Sequence, residues 1–275
     1  MKKRLRFLMI MCLLTLLGLK VPVFAQSPQT IEVGPHFGAT SYLGDLNVWR
    51  HLPQWDWKHL NQFHYDLGGL VRYNYDSRWS FRLDYTYFHA RACDSVTAWR
   101  PQGKLNFKTT AHDLSLLVEF NFLDYYTGKM DKSFSPYLFG GISGFMYWVQ
   151  PFTGDKILDA YYFNDSPNMA ISIPFGFGCK VSLTEHLAAT AEWRMHYTLT
   201  DDFDGVSGDY PAPDNHVTAI DSQGNVYDFT DPTGTFPEGF QRGNARNNDW
   251  FGMVNLSLTW KFIIPDNAAC KLSDQ

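Results

Sequence analysis

The sequence predicts an all-β protein: an eight-stranded antiparallel transmembrane β-barrel with short periplasmic turns and long extracellular loops. Three observations point there. Residues 248–262 (NDWFGMVNLSLTWKF) alternate with a period of two, with Trp250, Val254, Leu256, Leu258, Trp260 and Phe262 on one face and Asn255, Ser257, Thr259 and Lys261 on the other. That is the signature of a strand with one apolar side. Aromatic residues make up 17% of the chain, and tryptophans stand near both ends of this apolar face, where an outer-membrane strand meets its two interfaces. Beyond the amino-terminal stretch, no segment reaches the ~20 apolar residues of a spanning helix, whereas a tilted strand crosses with about 9–11.

Seven further strands precede this closing one. Residues 31–40 set Ile31, Val33, Phe37 and Ala39 against Glu32, Gly34, His36 and Gly38. Residues 64–75 set Tyr65, Leu67, Val71, Tyr73 and Tyr75 against Asp66, Gly68, Arg72 and Asn74. After a tight Asp76-Ser77-Arg78 turn, residues 79–88 give the cleanest alternation, Trp79, Phe81, Leu83, Tyr85 and Tyr87 against Ser80, Arg82, Asp84 and Thr86. Residues 111–123 oppose Leu114, Leu116, Val118, Phe120 and Phe122 to Asp113, Ser115, Glu119 and Asn121. Residues 135–147 carry Gly140, Gly141 and Gly144, and the pattern leaves their facing open. Residues 169–181 and 187–199 complete the set, with Lys180, Glu192, Arg194 and His196 on the polar sides. Glycines on the inner face are expected to make room for bulky neighbours and to let strands bend.

Connection lengths orient the barrel. Residues 76–78, 124–134 and 182–186 form the shorter set, while the connections after the first, third, fifth and seventh strands are long, up to residues 200–247. Outer-membrane barrels keep short turns on the periplasmic side, so both termini are expected there. A soluble lipocalin-like barrel is the alternative, with apolar faces turned inward and Arg72, Asp84, Glu119 and Arg194 outside.

Residues 1–25 read as a secretory signal, with a basic start (Lys2, Lys3, Arg4, Arg6), an apolar run at residues 7–19 and Val23-Phe24-Ala25 before a cleavage site. Residues 26–262 are then the barrel and residues 263–275 a periplasmic tail. The signal holds five cations and no acid, so its removal takes the formal charge from −5 to −10. With no basic stripe left, nucleic acid is excluded as a partner; the expected surroundings are outer-membrane lipids. The mature chain has three cysteines, Cys93, Cys179 and Cys270, an odd number for an exported protein. Cys270, in the tail, is the candidate for a disulfide with a periplasmic partner; an unpaired thiol or a bond to Cys179 stays open.

With apolar faces toward lipid, the interior holds Glu32, Asp66, Asp84, Asp113, Glu119 and Glu192 with Arg72, Arg82, Lys180, Arg194 and Lys261, beside His36 and His196. An eight-stranded interior is just wide enough for side chains to fill, and buried charge persists when paired, so this near-balanced set is expected to pack as an internal charge network. An ion path is the other reading. His51, His59 and His64 with Asp56 lack a metal-site spacing. The run Asp201-Asp202-Phe203-Asp204-Gly205 has only part of a calcium loop and reads as an acidic rim. For an enzyme, His112 and Ser115 lie on opposite faces, and no spacing sets a serine beside His196, Asp201 and Asp202. Neither catalysis nor a cofactor is expected.

Several stretches in fixed order carry a family resemblance: GATSYLGDL at residues 38–46, IPFGFG at 173–178, YTLTDDFDG at 197–205, Arg242-Gly243-Asn244, and NNDWF at 247–251. Together they resemble the PorG-like outer-membrane barrels of the Bacteroidetes type IX secretion system. The resemblance implies a non-catalytic component of a protein secretion machine that contacts a periplasmic ring of a PorK-like lipoprotein and a PorN-like protein. The PorK-like lipoprotein is then the implied partner for Cys270. A structural or surface-binding barrel without a secretion role is the alternative.

Overall fold

The structure, a computed structural model, describes residues 29–43, 64–93, 106–153, 156–157, 167–203, 205, 208–220, 224–242 and 248–263. Its strands are β1 (Thr30–Leu43), β2 (His64–Asn74), β3 (Trp79–Cys93), β4 (Asn106–Asn121), β5 (Phe134–Thr153), β6 (Lys156–Ile157), β7 (Asn168–Ser182), β8 (Leu187–Thr198), β9 (Thr218–Ile220), β10 (Val226–Asp228) and β11 (Trp250–Ile263). Eight of them, all but β6, β9 and β10, form one antiparallel sheet that closes on itself where β1 pairs with β11. Closure leaves no sheet edge, which is what lets strands sit in hydrocarbon. Among the described residues the only helical pieces are two single 3₁₀ turns, at Met130–Lys132 and Pro213–Asn215.

The alternation read from the sequence is the in–out alternation of the wall. Leu67, Leu83, Leu116, Ile173, Val254 and Leu258 are exposed on the outside, while Glu32, Arg72, Asp84, Glu119 and Arg194 are buried inside. The soluble alternative fails on this point. A soluble monomer rarely exposes a contiguous apolar patch beyond a few hundred Å², and here apolar side chains cover the outer face of strand after strand.

Several strands run past the limits expected from sequence. β3 and β4 stay paired out to Cys93↔Asn106, and β5 begins at Phe134 and ends at Thr153; backbone pairing continues beyond the level where the apolar alternation stops. The facing of β5, open in the sequence, is settled: Tyr137, Phe139, Phe145 and Tyr147 are buried inside. Gly140 and Gly144 share the outer parity, so of that glycine trio only Gly141 makes room inside. Gly68 makes room in the expected way, because a Cβ there meets the imidazole of His36.

At one end the connections are short and built from local chemistry. Asp76 Oδ1 accepts the backbone amides of Arg78 and Trp79, each at 2.7 Å, and Thr184 Oγ1 accepts that of Leu187 at 3.0 Å; both are side-chain-capped turns. The segment between β4 and β5 is longer for a different reason: it folds inward. Tyr125 and Thr127 are buried, and Gly128, at φ +91°, lies where a side chain would strike the backbone of Glu185 and the Lys261 ammonium. This segment stops the turn end of the barrel.

Candidate functional site: the barrel interior

The inward residues stack in two zones. The zone nearer the turns is ionic. Arg72 and Arg82 stand directly opposite each other on β2 and β3, an arrangement that by itself is repulsive. Glu119 on β4 resolves it, taking Arg72 Nε at 2.9 Å on one oxygen and lying 3.0 Å from Arg82 Nε on the other. The same carboxylate accepts from Lys180 Nζ at 2.5 Å. Arg72 also donates to Glu32 at 2.8 Å, and Glu32 accepts the hydroxyl of Thr127 from the inturned segment at 2.5 Å. One layer up, Arg194 forks onto Asp84 through two bonds of 3.0 Å and meets Glu192 at 2.5 Å. Glu192 takes further bonds from Arg82 and from the Tyr137 hydroxyl, both at 2.8 Å. Bidentate, charge-assisted bonds are the strong form of this contact, and the burial of every member calls for them.

Not all the predicted network is ion-paired. Asp66 is held by neutral donors, Thr40 at 3.0 Å and Asn255 at 2.9 Å, with His36 at 3.9 Å. Asp113 accepts from Ser115 at 2.6 Å and from Ser143. Lys261, at the turn end, donates to the carbonyl of Thr127 at 2.6 Å. Sequence reasoning missed Tyr137 and Phe139, which fill space between the cations: Lys180 Nζ lies 4.6 Å from the Tyr137 ring centre and the Arg82 guanidinium 5.1 Å from that of Phe139.

The zone nearer the long loops is aromatic. Tyr42, Phe88, Phe107, Phe145, Tyr147, Phe203 and Phe251 form one buried cluster. Phe203 comes from the loop after β8 and is fully buried, its ring 5.4 Å from Tyr147, 5.4 Å from Phe251 and 6.0 Å from Tyr42. The loop is pinned there: Thr109 Oγ1 donates to the Phe203 carbonyl at 2.8 Å, and the Phe203 amide donates to Asp249 at 3.1 Å. The expected acidic rim is therefore corrected in part, since the middle of that run is a plug. Asp202 is exposed, and Asp204 lies outside the described residues.

The structure also brings together a serine, a histidine and an acid that spacing had kept apart. Ser172 Oγ lies 2.9 Å and Asp113 Oδ1 3.9 Å from His196 Nδ1. Both contacts fall on the same ring nitrogen, so no relay runs through the ring. All three residues are fully buried, and Phe251 stacks on the imidazole at 4.2 Å. This is packing geometry. Among the described residues no group of His, Cys, Asp and Glu converges to hold a metal; His51, Asp56 and His59 lie outside them, as do residues 1–25 and Cys270. Cys179 is a free thiol on the outer parity of β7.

A closed eight-stranded antiparallel barrel with an apolar outer wall and an ionic interior is the architecture of small outer-membrane barrels. Within that class the chain belongs to the family described as domain of unknown function DUF6089, whose model matches residues 6–222. A search of the curated proteins finds no match. Among solved structures the chain is similar to the outer membrane protein OprG from Pseudomonas aeruginosa (12% identity, 87% of this chain and 98% of that one, TM-score 0.41). It is also similar to Neisserial surface protein A (12%, 87% and 100%, 0.41) and to a major outer membrane protein from Thermus thermophilus (10%, 86% and 100%, 0.42).

Proposed function

We propose that this protein is a non-catalytic outer-membrane barrel, closed to solutes, that serves as a membrane scaffold and acts through its two ends. One observation carries the reading: the interior is filled, by the inturned Tyr125–Thr127 segment at the turns, by the Glu119- and Asp84-centred ion pairs in the middle, and by the Phe203 plug at the loops. A wall so placed transmits no solute, so its work lies in what it holds. Refolded protein in a planar bilayer is expected to show no steady conductance; a stable open channel of porin size overturns the scaffold reading.

The finer role follows from the family resemblance of residues 38–46, 173–178, 197–205 and 242–251. In that reading both termini and the short turns face the periplasm, and the barrel is the outer-membrane component of a type IX secretion machine that contacts a PorK-like lipoprotein and a PorN-like ring protein. Crosslinking in intact cells is expected to recover those two proteins; recovery of neither removes the secretion role. Cys270 supplies a sharper test. A heavier band on non-reducing gels, lost with reductant and in Cys270→Ser, is the expected result, and a lone monomer band refutes the disulfide.

The surface-binding alternative has its own support in the folded cap of the last loop. There β9 pairs with β10, Asp209 bridges Gln241, and Tyr210 stacks on Phe236 at 4.9 Å, so this loop presents a defined surface.

A further inference from the structure

In the cap of the last loop, β9 and β10 form a hairpin with two unlike faces. Ala219 and Tyr227 are cross-strand partners on the half-buried face. Ile220 and Val226 are partners on the other, 70% and 65% exposed, with Thr218 and Asp228 in the next row of that face. The main chain adds a second feature. The Phe229 amide donates to the Val217 carbonyl at 2.9 Å, which makes Val217 and Phe229 a hydrogen-bonded pair. Bonded and non-bonded pairs alternate in an antiparallel ribbon, so the backbone N–H and C=O groups of Thr218 and Ile220 turn away from β10. Among the described residues this sheet has two strands, and those groups lie on a free edge. On β10, by contrast, Asp228 is engaged by His216 and by the amides of Thr230 and Asp231. The edge is also held in shape. Val217 donates its amide to Thr230 Oγ1 at 2.8 Å, Phe229 and Thr230 are buried, and Asp231 accepts the amides of Thr233 and Phe236. A lone two-stranded ribbon is marginal in water; this anchoring keeps the edge formed before any partner arrives, which lowers the ordering cost of binding.

A formed edge with an apolar pair on its open face is a template for one more strand. Charge decides what that strand is. Residues 200–247 hold nine acidic residues and two arginines, whereas residues 44–63, another of the long connections, hold two acidic and two basic ones. Such a surface repels a second copy of itself and an anionic lipid headgroup, and it draws in cations. We propose that the β9 edge binds an extended basic polypeptide segment as a third strand, its backbone pairing with Thr218 and Ile220 and an apolar side chain seated against Ile220 and Val226. Successive side chains of a strand alternate in direction, so the fitting sequence alternates apolar residues with Lys or Arg. This deepens the surface-binding reading given above and rests on it.

The test uses full-length protein in detergent micelles and the labelled peptide Lys-Val-Lys-Val-Lys-Val-Lys, read by fluorescence anisotropy at physiological salt. Wild type is expected to bind it about tenfold more tightly than Lys-Ser-Lys-Ser-Lys-Ser-Lys or Glu-Val-Glu-Val-Glu-Val-Glu. Equal binding of the two lysine peptides reduces the contact to charge alone and overturns the proposal, as does equal binding of the glutamate peptide. Two variants separate side chain from backbone. Ile220→Thr/Val226→Thr keeps the β-branching and removes the apolar pair; Thr218→Pro removes an edge N–H that the hairpin itself does not use. Each is expected to weaken binding by about tenfold, with amide protection across residues 225–230 showing that the hairpin persists. Wild-type affinity in either variant, with the hairpin intact, overturns the proposal. A dimer that forms in place of the complex and is lost in Thr218→Pro overturns it in favour of a second copy as the occupant. On intact cells, Ile220→Cys is expected to react with a membrane-impermeant maleimide above the wild-type level. Labelling without peptide binding refutes this site alone, and no labelling removes the surface placement with it.

Discussion

The Tyr42 hydroxyl donates to Asp249 Oδ1 at 2.6 Å, joining β1 to the start of β11 across 207 residues, with both side chains buried. Asp249 uses its second oxygen for the Phe203 amide at 3.1 Å, and its backbone carbonyl takes the Thr198 hydroxyl at 2.7 Å. One carboxylate thus ties the barrel seam to the plug of the last loop. Asp249→Ala leaves two buried donors unmet, at about 1–3 kcal/mol each, and is expected to release the loop. Limited trypsin digestion is the check: cleavage after Arg242 should speed up in the variant, and an unchanged pattern denies the tie.

Phe203→Ala tests the plug itself. Deleting a fully buried phenyl ring costs about 3–5 kcal/mol, so the urea midpoint of vesicle-inserted protein is expected to fall well below that of wild type. Phe240→Ala is the comparison: it removes a phenyl ring that is 47% exposed and is expected to shift the midpoint little. Equal shifts would deny Phe203 its central place.

Glu119→Gln probes the ionic zone. The substitution keeps shape but leaves Arg72, Arg82 and Lys180 sharing one charge less, and breaking a buried pair from one side costs about 3–5 kcal/mol. Equilibrium unfolding should show a loss of that order, while Ser257→Ala, also inward but neutral, should show little. Unchanged stability in Glu119→Gln would mean that the cations are solvated.

The outer wall gives a depth-dependent expectation. Leu83 faces outward between Val71 and Leu116, and Leu83→Arg near mid-membrane is expected to cost about 2–4 kcal/mol. Thr86, inward on the same strand and bonded to Asp84 at 3.1 Å, should cost less on change to serine, which keeps the hydroxyl. Similar losses at both positions would contradict a lipid-facing wall.

The cap of the last loop should respond to pH. His216 Nδ1 meets Asp228 Oδ2 at 2.7 Å and its Nε2 meets the Pro211 carbonyl at 3.3 Å. Doubly protonated imidazole donates both bonds, and the bond to Asp228 foremost raises the His216 pKa above its usual value. A raised folded-state pKa stabilises fully below the unfolded value, about 6.5, and that contribution is lost as pH rises through the folded one. Hydrogen-exchange protection across residues 208–242, taken relative to the intrinsic amide rate at each pH, is expected to be highest in mild acid and to fall above neutrality. His216→Gln should flatten this dependence; a profile identical to wild type places the response elsewhere.

Residue by residue, the sequence was sufficient to say which way most side chains point. Facing in a strand is a local property with period two, so the outward run of Trp79, Phe81, Leu83 and Tyr85 and the inward Glu32, Arg72, Asp84 and Glu119 could be read directly. The unequal gaps likewise separated a turn end from a loop end. What the inward residues touch was decided only by closure, because a partner across the lumen depends on the stagger of eight strands and not on any one of them. Hence Arg82 found Glu192 from 110 residues away, Asp66 found Asn255 in place of a cation, and Tyr137 and Phe139 went inward on a strand whose glycines blur its alternation. Phe203 and Thr127 were the least legible. Each is one residue in a polar connection with no periodicity to reveal it, and each entered the barrel because closure left a space at its end that only a returning loop reaches.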